Sequence, residues 1–163
     1  MVTKQTISFD IHIYSTLEEL KDEDRTLMQS AVQARKKAYA PYSNFNVGAA
    51  IVLENGEIVQ GNNQENASYP SGLCAERVAV FYAGAQFPGV KMKAIAISAS
   101  SSQHEVTEPA APCGNCRQSI SEYEFKQGTP IKLLLMGETG KIIACGSLAD
   151  LLPLGFNSSY LNK

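Results

Sequence analysis

Strand-like and helix-like segments alternate along this chain of 163 residues, and no other feature restricts the fold more. Apolar and polar residues alternate at 6–14, and the turn-forming pair Asn55-Gly56 separates two apolar runs, which predicts a hairpin. Further strands are predicted at 92–99, 131–136 and 141–145, and helices at 16–40, from Cys74 onward, at 113–125 and at 148–152. This alternation indicates an α/β fold in which helices cover a mixed sheet.

The composition is that of one compact domain, because 44% of the residues are hydrophobic and 18% are charged. No run approaches the roughly 18 apolar residues that a membrane-spanning helix needs. The net charge of -2 argues against a nucleic-acid backbone as main partner, since neutralising phosphates normally takes a basic surface. The start, MVTKQTISFD, lacks the pattern of a secretory signal, so we expect a cytoplasmic protein whose four cysteines are free thiols or metal ligands.

Cysteines stand at the starts of two predicted helices. In PCGNC (112–116), Cys113 and Cys116 lie on one first turn, where free backbone N–H groups and the helix dipole favour thiolates. Such a pair alone is equally well a redox pair. With Cys74 at the start of the other helix, it predicts a zinc site of three sulfur ligands, which leaves a fourth position for water.

Glu76 and Arg77 are the only charged residues in the apolar stretch 73–85. In the first helical turn the Glu76 side chain can reach the space beside a metal held by Cys74, where a carboxylate can move protons. The simpler interpretation is that Glu76 only compensates the helix dipole. Arg77, three residues after Cys74, can donate to its sulfur and offset the excess negative charge, or it is an ordinary surface arginine.

The motifs CAER (74–77) and PCGNCRQ (112–118) resemble those of cytidine deaminases of the small homotetrameric three-cysteine type. The resemblance also includes AYAPYSNFNVGAA, GNNQENASYPSGLCAER and LADLLPLGF, and it runs from about Ala38 to Phe156. It implies a single-domain sandwich of helix, sheet and helix with a mixed five-stranded sheet. We expect this zinc hydrolase domain at 25–163, after an N-terminal extension of unknown role at 1–24.

The resemblance implies hydrolytic deamination of cytidine and deoxycytidine to uridine and deoxyuridine plus ammonia, a step of pyrimidine salvage. Zinc-bound hydroxide would attack the base, and Glu76 would carry the protons. Each chain would hold one Zn²⁺ through Cys74, Cys113 and Cys116, with Arg77 beside the thiolates. The substrate-binding residues implied are Phe45 lining the pocket, Asn63 and Glu65 on the ribose 3'-hydroxyl, Ala67 on the base through its backbone, Tyr69 near the sugar, and Phe156 from a neighbouring subunit of a homotetramer.

Two alternatives remain open at this point. One is a zinc deaminase of another aminated nucleoside or of a base within nucleic acid, against which Asn63 and Glu65 weigh. The other is a structural zinc module in which Cys145 closes a four-sulfur site. Cys145 lies among apolar neighbours in KIIACG, which favours a buried inert thiol. His12 and His104 fall outside every motif and are expected to be ordinary surface or packing histidines.

Overall fold

The computed structural model of this chain describes residues 1–161, so the last two residues of the predicted 25–163 domain lie outside the described part. Within it, one mixed sheet contains six strands in the order β1-β6-β5-β4-β2-β3. The β4 and β5 strands are parallel, and the other neighbouring pairs are antiparallel. The strands are β1 (Ile11–Tyr14), β2 (Phe45–Leu53), β3 (Ile58–Asn62), β4 (Met92–Ser101), β5 (Lys132–Met136) and β6 (Ile142–Cys145).

Helices cover both faces of this sheet. The α1 helix (Asp22–Arg35) packs on one face, and α2 (Ala75–Gln86) and α3 (Gly114–Gln127) pack on the other. The two faces carry separate apolar clusters, of which the α2 and α3 side is the larger. The predicted α/β sandwich with a mixed sheet is therefore confirmed. None of the helices within residues 1–161 is long and apolar enough to cross a membrane.

The predicted number of strands, five, is wrong because the N-terminal segment adds a sixth. Residues 11–14 pair antiparallel with β6, with Ile11 opposite Cys145 and Tyr14 opposite Ile142. The strand is shorter than the alternating pattern at 6–14 predicted, since residues 1–10 have no strand partner in the described chain. β1 is thus the end strand of the sheet.

The α1 helix also differs from its prediction. It ends at Arg35 and not near Ala40, because the backbone N–H of Tyr39 donates to the carbonyl of Asn63 at 3.0 Å and draws the chain away from the helix axis. Its start differs too, because Thr16 begins only a short 3-10 turn at Leu17–Glu19 and α1 itself begins at Asp22. A contact across the fold therefore decides where the helix stops.

Two local features position the second helix against the sheet. The hairpin at Asn55-Gly56 is confirmed, and Gly56 has the left-handed φ of +90° that such turns favour. On the next strand, Gly61 touches α2: a Cβ there would lie 2.5 Å from the carbonyl oxygen of Ala75 and from the backbone nitrogen of Ala79. A glycine at this point lets the first turns of α2 lie directly on β3.

Candidate active site

The starts of α2 and α3 meet and bring three cysteines together. Cys74 is the N-cap residue of α2, Cys113 is the N-cap residue of α3, and Cys116 follows in the first turn of α3. Their sulfur atoms all lie within 4.8 Å of one another, and the Cys113 and Cys116 sulfurs are 3.6 Å apart. This spacing suits one cation bound by all three side chains.

The electrostatics of the sulfur cluster fit a soft cation. The pKa of Cys74 is lowered to about 5, because Cys116 donates a hydrogen bond to its sulfur and Arg77 adds a positive charge, against the opposing effect of burial. The pKa of Cys116 is raised, because that same hydrogen bond and burial hold its proton. Cys74 is therefore the first thiolate of the cluster, and thiolates are the sulfur form that binds zinc.

Arg77 lies beside the sulfurs, where its hydrogen bond and positive charge lower the pKa of Cys74. It lines the same cavity as Cys74, and its buried Nε has no hydrogen-bond partner among the atoms of residues 1–161. The partly exposed guanidinium group lies next to the sulfurs and supplies positive charge where thiolates would place negative charge.

Glu76 is buried in the first turn of α2, with only 5% of its surface exposed. Its pKa is raised, first because burial removes water from the carboxylate and then because of the negative charge on Cys74. Glu76 lines the same cavity as Cys74 and Cys113. A carboxyl group with a raised pKa holds a proton more readily than an ordinary carboxyl group, and this property suits general acid and base catalysis.

A cavity of about 570 Å³ opens in front of these residues. This volume lies in the range typical of small-molecule sites. Its lining includes four residues predicted to bind substrate, namely Phe45, Asn63, Glu65 and Tyr69.

Asn63 and Glu65 fix the segment that carries Phe45. The buried Asn63 amide accepts from the Val47 N–H at 2.8 Å and donates to the Phe45 carbonyl at 2.9 Å. The Glu65 carboxylate accepts from the N–H of Ser43 at 3.2 Å and also from its hydroxyl, and these bonds lower the pKa of Glu65. The sequence did not reveal that Asn63 and Glu65 hold this segment in place, because both sets of bonds join residues far apart in the chain.

Two predicted site residues do not line the cavity of this single chain. Ala67 is exposed in the loop before Tyr69. Phe156 lies on the C-terminal segment, where its ring stacks on that of Tyr160 with 5.5 Å between centroids. Its carbonyl accepts from the Gln118 side chain at 2.9 Å, so α3 holds the segment that carries it.

Sequence reasoning missed the residues that attach the C-terminal segment to the cysteine loop. Arg117 donates from Nε to the Pro112 carbonyl and from Nη1 to the Leu151 carbonyl, both at 2.8 Å. The Glu124 carboxylate accepts from the Ser147 hydroxyl at 2.7 Å and from three backbone N–H groups. Arg117 follows Cys116 directly in the PCGNCRQ motif, which was a usable signal, whereas nothing in the sequence marked Glu124.

Cys145 does not join the sulfur cluster. The metal-capable group in the described part of the chain consists of the other three cysteines, and Cys145 is 1% exposed within the apolar cluster under α2 and α3. Burial raises the pKa of its thiol. The alternative of a closed four-sulfur structural module is therefore contradicted by the arrangement.

Comparisons with known proteins agree with this geometry. The family model described as the cytidine and deoxycytidylate deaminase zinc-binding region matches residues 21–129. A cytidine deaminase of Sporosarcina psychrophila is 44% identical over 83% of this chain and 93% of its own length, and one of Halalkalibacterium halodurans is 38% identical over 83% and 96%. The crystal structure of cytidine deaminase from Burkholderia pseudomallei superposes with a TM-score of 0.71 at 40% identity, over 84% of this chain and 100% of that one. The chain therefore belongs to the zinc-dependent cytidine and deoxycytidylate deaminase family, as its motifs predicted.

Proposed function

We propose that this protein hydrolyses cytidine and deoxycytidine to uridine and deoxyuridine, with release of ammonia. The observation that carries the proposal is a cluster of three cysteine sulfurs at the wall of a cavity of about 570 Å³, which is lined by Cys74, Cys113 and the buried Glu76. Relatives named cytidine deaminase share most of the chain. Such an activity would be a step of pyrimidine salvage, and we propose a cytoplasmic location for it.

One Zn²⁺ per chain would be held by Cys74, Cys113 and Cys116. When bound, the metal supplies a Lewis acid that lowers the pKa of a coordinated water to about 7. The sulfur set fits the metal because Cys74 already has the lowered pKa of a ligand thiolate. Arg77 reduces the excess negative charge of three thiolates around a divalent cation.

Glu76 performs the proton transfers. Its carboxylate takes a proton from the attacking water and gives it to ring nitrogen 3 of the cytosine, so that carbon 4 can accept the nucleophile. It then takes the proton of the new hydroxyl group on carbon 4 and gives it to the amino group, so that the bond between carbon 4 and the amino nitrogen breaks, a carbonyl group forms and ammonia leaves. Burial serves this role because it keeps bulk water from exchanging the proton before it reaches the base.

The nucleoside would lie along the same cavity. Phe45 packs against it, Asn63 and Glu65 bind the ribose 3'-hydroxyl, and Tyr69 lies near the sugar. The Asn63 side-chain amide donates one Nδ2 hydrogen to the Phe45 carbonyl, so its second hydrogen is available for a hydrogen bond to a hydroxyl group. Ala67 would contact the base through its backbone.

Phe156 would cover the cytosine ring of a neighbouring subunit in a homotetramer. In one chain Phe156 lies outside the cavity and is about half exposed, on a segment that α3 holds in place. An exposed aromatic ring on a well-held segment is what a shared site requires. The complete active site would then need more than one chain.

The test is an ultraviolet assay of cytidine loss, with metal content measured by atomic absorption on the same sample. We expect about one zinc per chain, turnover of cytidine and deoxycytidine, and loss of turnover when a chelator removes the metal. Cytosine and single-stranded DNA serve as comparison substrates. Faster turnover of either would refute the nucleoside assignment, and full activity in the metal-free protein would refute the zinc mechanism.

A further inference from the structure

Two side chains at the start of α3 attach the C-terminal segment, residues 151–160, to the rest of the fold. Arg117 donates from Nη1 to the Leu151 carbonyl at 2.8 Å, and Gln118 donates from Nε2 to the Phe156 carbonyl at 2.9 Å. Within the described chain, the other hydrogen bonds of this segment join residues three positions apart or fewer. The position of the segment therefore depends on two neighbouring residues of α3.

Arg117 makes a second bond, to the loop that carries Cys113. Its Nε donates to the carbonyl of Pro112 at 2.8 Å, one residue before that cysteine. Farther back, the exposed Glu108 anchors the loop through an ion pair. In the part of the chain that the structure describes, the bond from Arg117 is the hydrogen bond that reaches residues 109–112. One guanidinium group thus fixes both the residue before Cys113 and the start of the C-terminal segment.

The chemistry of arginine suits this bridge. The planar guanidinium group holds several N–H donors in a fixed fork, so Nε and Nη1 can bond two carbonyls that lie in different directions. A lysine has the same charge but a single nitrogen on a flexible stem. Arg117 is half-buried, and no carboxylate of residues 1–161 forms an ion pair with it. Its two hydrogen bonds, and not an ion pair, therefore hold its side chain in place.

We propose that Arg117 is a positioning residue that couples the three-sulfur site to the C-terminal segment. When the sulfurs hold Zn²⁺, Cys113 and the carbonyl before it are fixed, and Arg117 passes this restraint to the Leu151 carbonyl. The coupling is reciprocal, because a fixed segment also keeps the Cys113 loop in the geometry that the metal needs. Arg117 does not line the cavity, so it acts through Cys113 and not on the substrate. The inference rests on the proposed function for the identity of the metal.

Amide hydrogen exchange of the wild-type protein is the first test. A chelator removes the metal, and Zn²⁺ alone is then added back, so the occupancy of the site changes without any substrate. We expect the amides of residues 152–160 to exchange about 5-fold faster or more in the metal-free protein than in the zinc-loaded protein. The amides of α1, on the other face of the sheet, should exchange equally in the two forms.

Two variants separate position from charge. Arg117→Lys keeps the positive charge but loses the fork that reaches both carbonyls, and Arg117→Met loses the charge as well. We expect the dissociation constant for Zn²⁺, from competition with a chromophoric chelator, to rise about 10-fold in both variants. The effect of zinc on exchange at 152–160 should disappear in both. Arg25→Lys is the matched control, because it makes the same change in a surface ion pair of α1 and should bind Zn²⁺ like the wild type.

The outcomes that contradict the proposal are distinct. Exchange at 152–160 that is the same with and without zinc would overturn it, and so would wild-type zinc affinity in both variants. Wild-type affinity in Arg117→Lys alone would show that charge acts here and not position, which also contradicts it. Cytidine turnover is measured on the same samples. Turnover without zinc-dependent exchange refutes the coupling alone, whereas zinc-dependent exchange without turnover refutes the proposed activity alone.

Discussion

The close approach of α2 to β3 at Gly61 gives a quantitative test of how the fold places the active site. In Gly61→Ala the new Cβ would lie 2.5 Å from the Ala75 carbonyl oxygen and the Ala79 nitrogen, whereas ordinary contact begins at 3.4 Å. Both neighbours are backbone atoms of a helix, so neither can rotate aside. The start of α2 must therefore move by about 1 Å, the difference between the clash and normal van der Waals separation.

Two consequences of that movement can be measured. Overpacking of this kind typically destabilises a protein by roughly 1 to 3 kcal/mol, and a change of about 2 kcal/mol lowers the Tm of a domain this size by roughly 4 to 8 °C. The moved turn also carries Cys74 and Glu76, and a misplacement of about 1 Å at a catalytic group reduces the rate on the order of 100-fold. We expect kcat for cytidine to fall more than the loss of folded protein explains.

The assay combines thermal unfolding, zinc content and steady-state turnover of Gly61→Ala with a matched control. Gly146→Ala makes the same change where the nearest atom to the new Cβ is 3.8 Å away, so it should leave all three measurements near the wild type. If Gly61→Ala keeps both the wild-type Tm and the wild-type kcat, the idea that this glycine sets the position of α2 and its catalytic turn is wrong.

Three further predictions address the side chains themselves. Glu76→Gln keeps the size of the buried group but cannot take up a proton, so turnover should fall about 100- to 10,000-fold while atomic absorption still finds zinc; near-normal turnover would exclude the proton-transfer role. Phe156→Ala should raise KM for cytidine about 5- to 100-fold with little change in Tm, because stacking on a base contributes roughly 1 to 3 kcal/mol, and a fully active monomer in sedimentation would exclude the shared site. Cys145→Ser should retain zinc and activity with a modest loss of stability, whereas Cys113→Ser should lose both metal and turnover, and loss of metal from Cys145→Ser would contradict the three-sulfur site.

The sequence predicted most elements of the fold because their signals are local. The turn after Asn55 requires one positive φ, which Gly56 supplies, and the starts of α2 and α3 are marked by cysteine motifs that follow loops. The alternation at 6–14 predicted a strand, but the pairing that makes it the sixth strand of the sheet could not be predicted in the same way. β1 pairs with residues about 130 positions away in the chain, and only the folded sheet shows that the outer edge of β6 is available to it.

The same distinction separates the parts of the site. The three cysteines and Glu76 could be proposed as site residues from the sequence, because a metal site with a proton-carrying carboxylate beside it needs these residue types at short spacing. The further task of Asn63, holding the backbone of Phe45 and Val47, depends on β2 and β3 lying side by side. Glu124 is a stronger example. Its carboxylate joins α3 to backbone groups on both sides of the β5 and β6 hairpin, and no sequence motif includes it.

The helix starts do more than carry ligands to one place. Cys74 and Cys113 occupy N-cap positions, where serine, threonine, aspartate or asparagine usually accepts a hydrogen bond from the first turn. Neither cysteine side chain makes such a capping bond in the described structure, so the free N–H groups of both helices and the positive ends of both dipoles remain directed at the sulfur cluster. Replacing a capping residue by alanine typically costs about 1 kcal/mol, which indicates the stability that each helix forgoes here. In return the fold applies two positive helix ends and Arg77 to the three cysteine sulfurs, and this combination favours the thiolate forms that the proposed metal site would need.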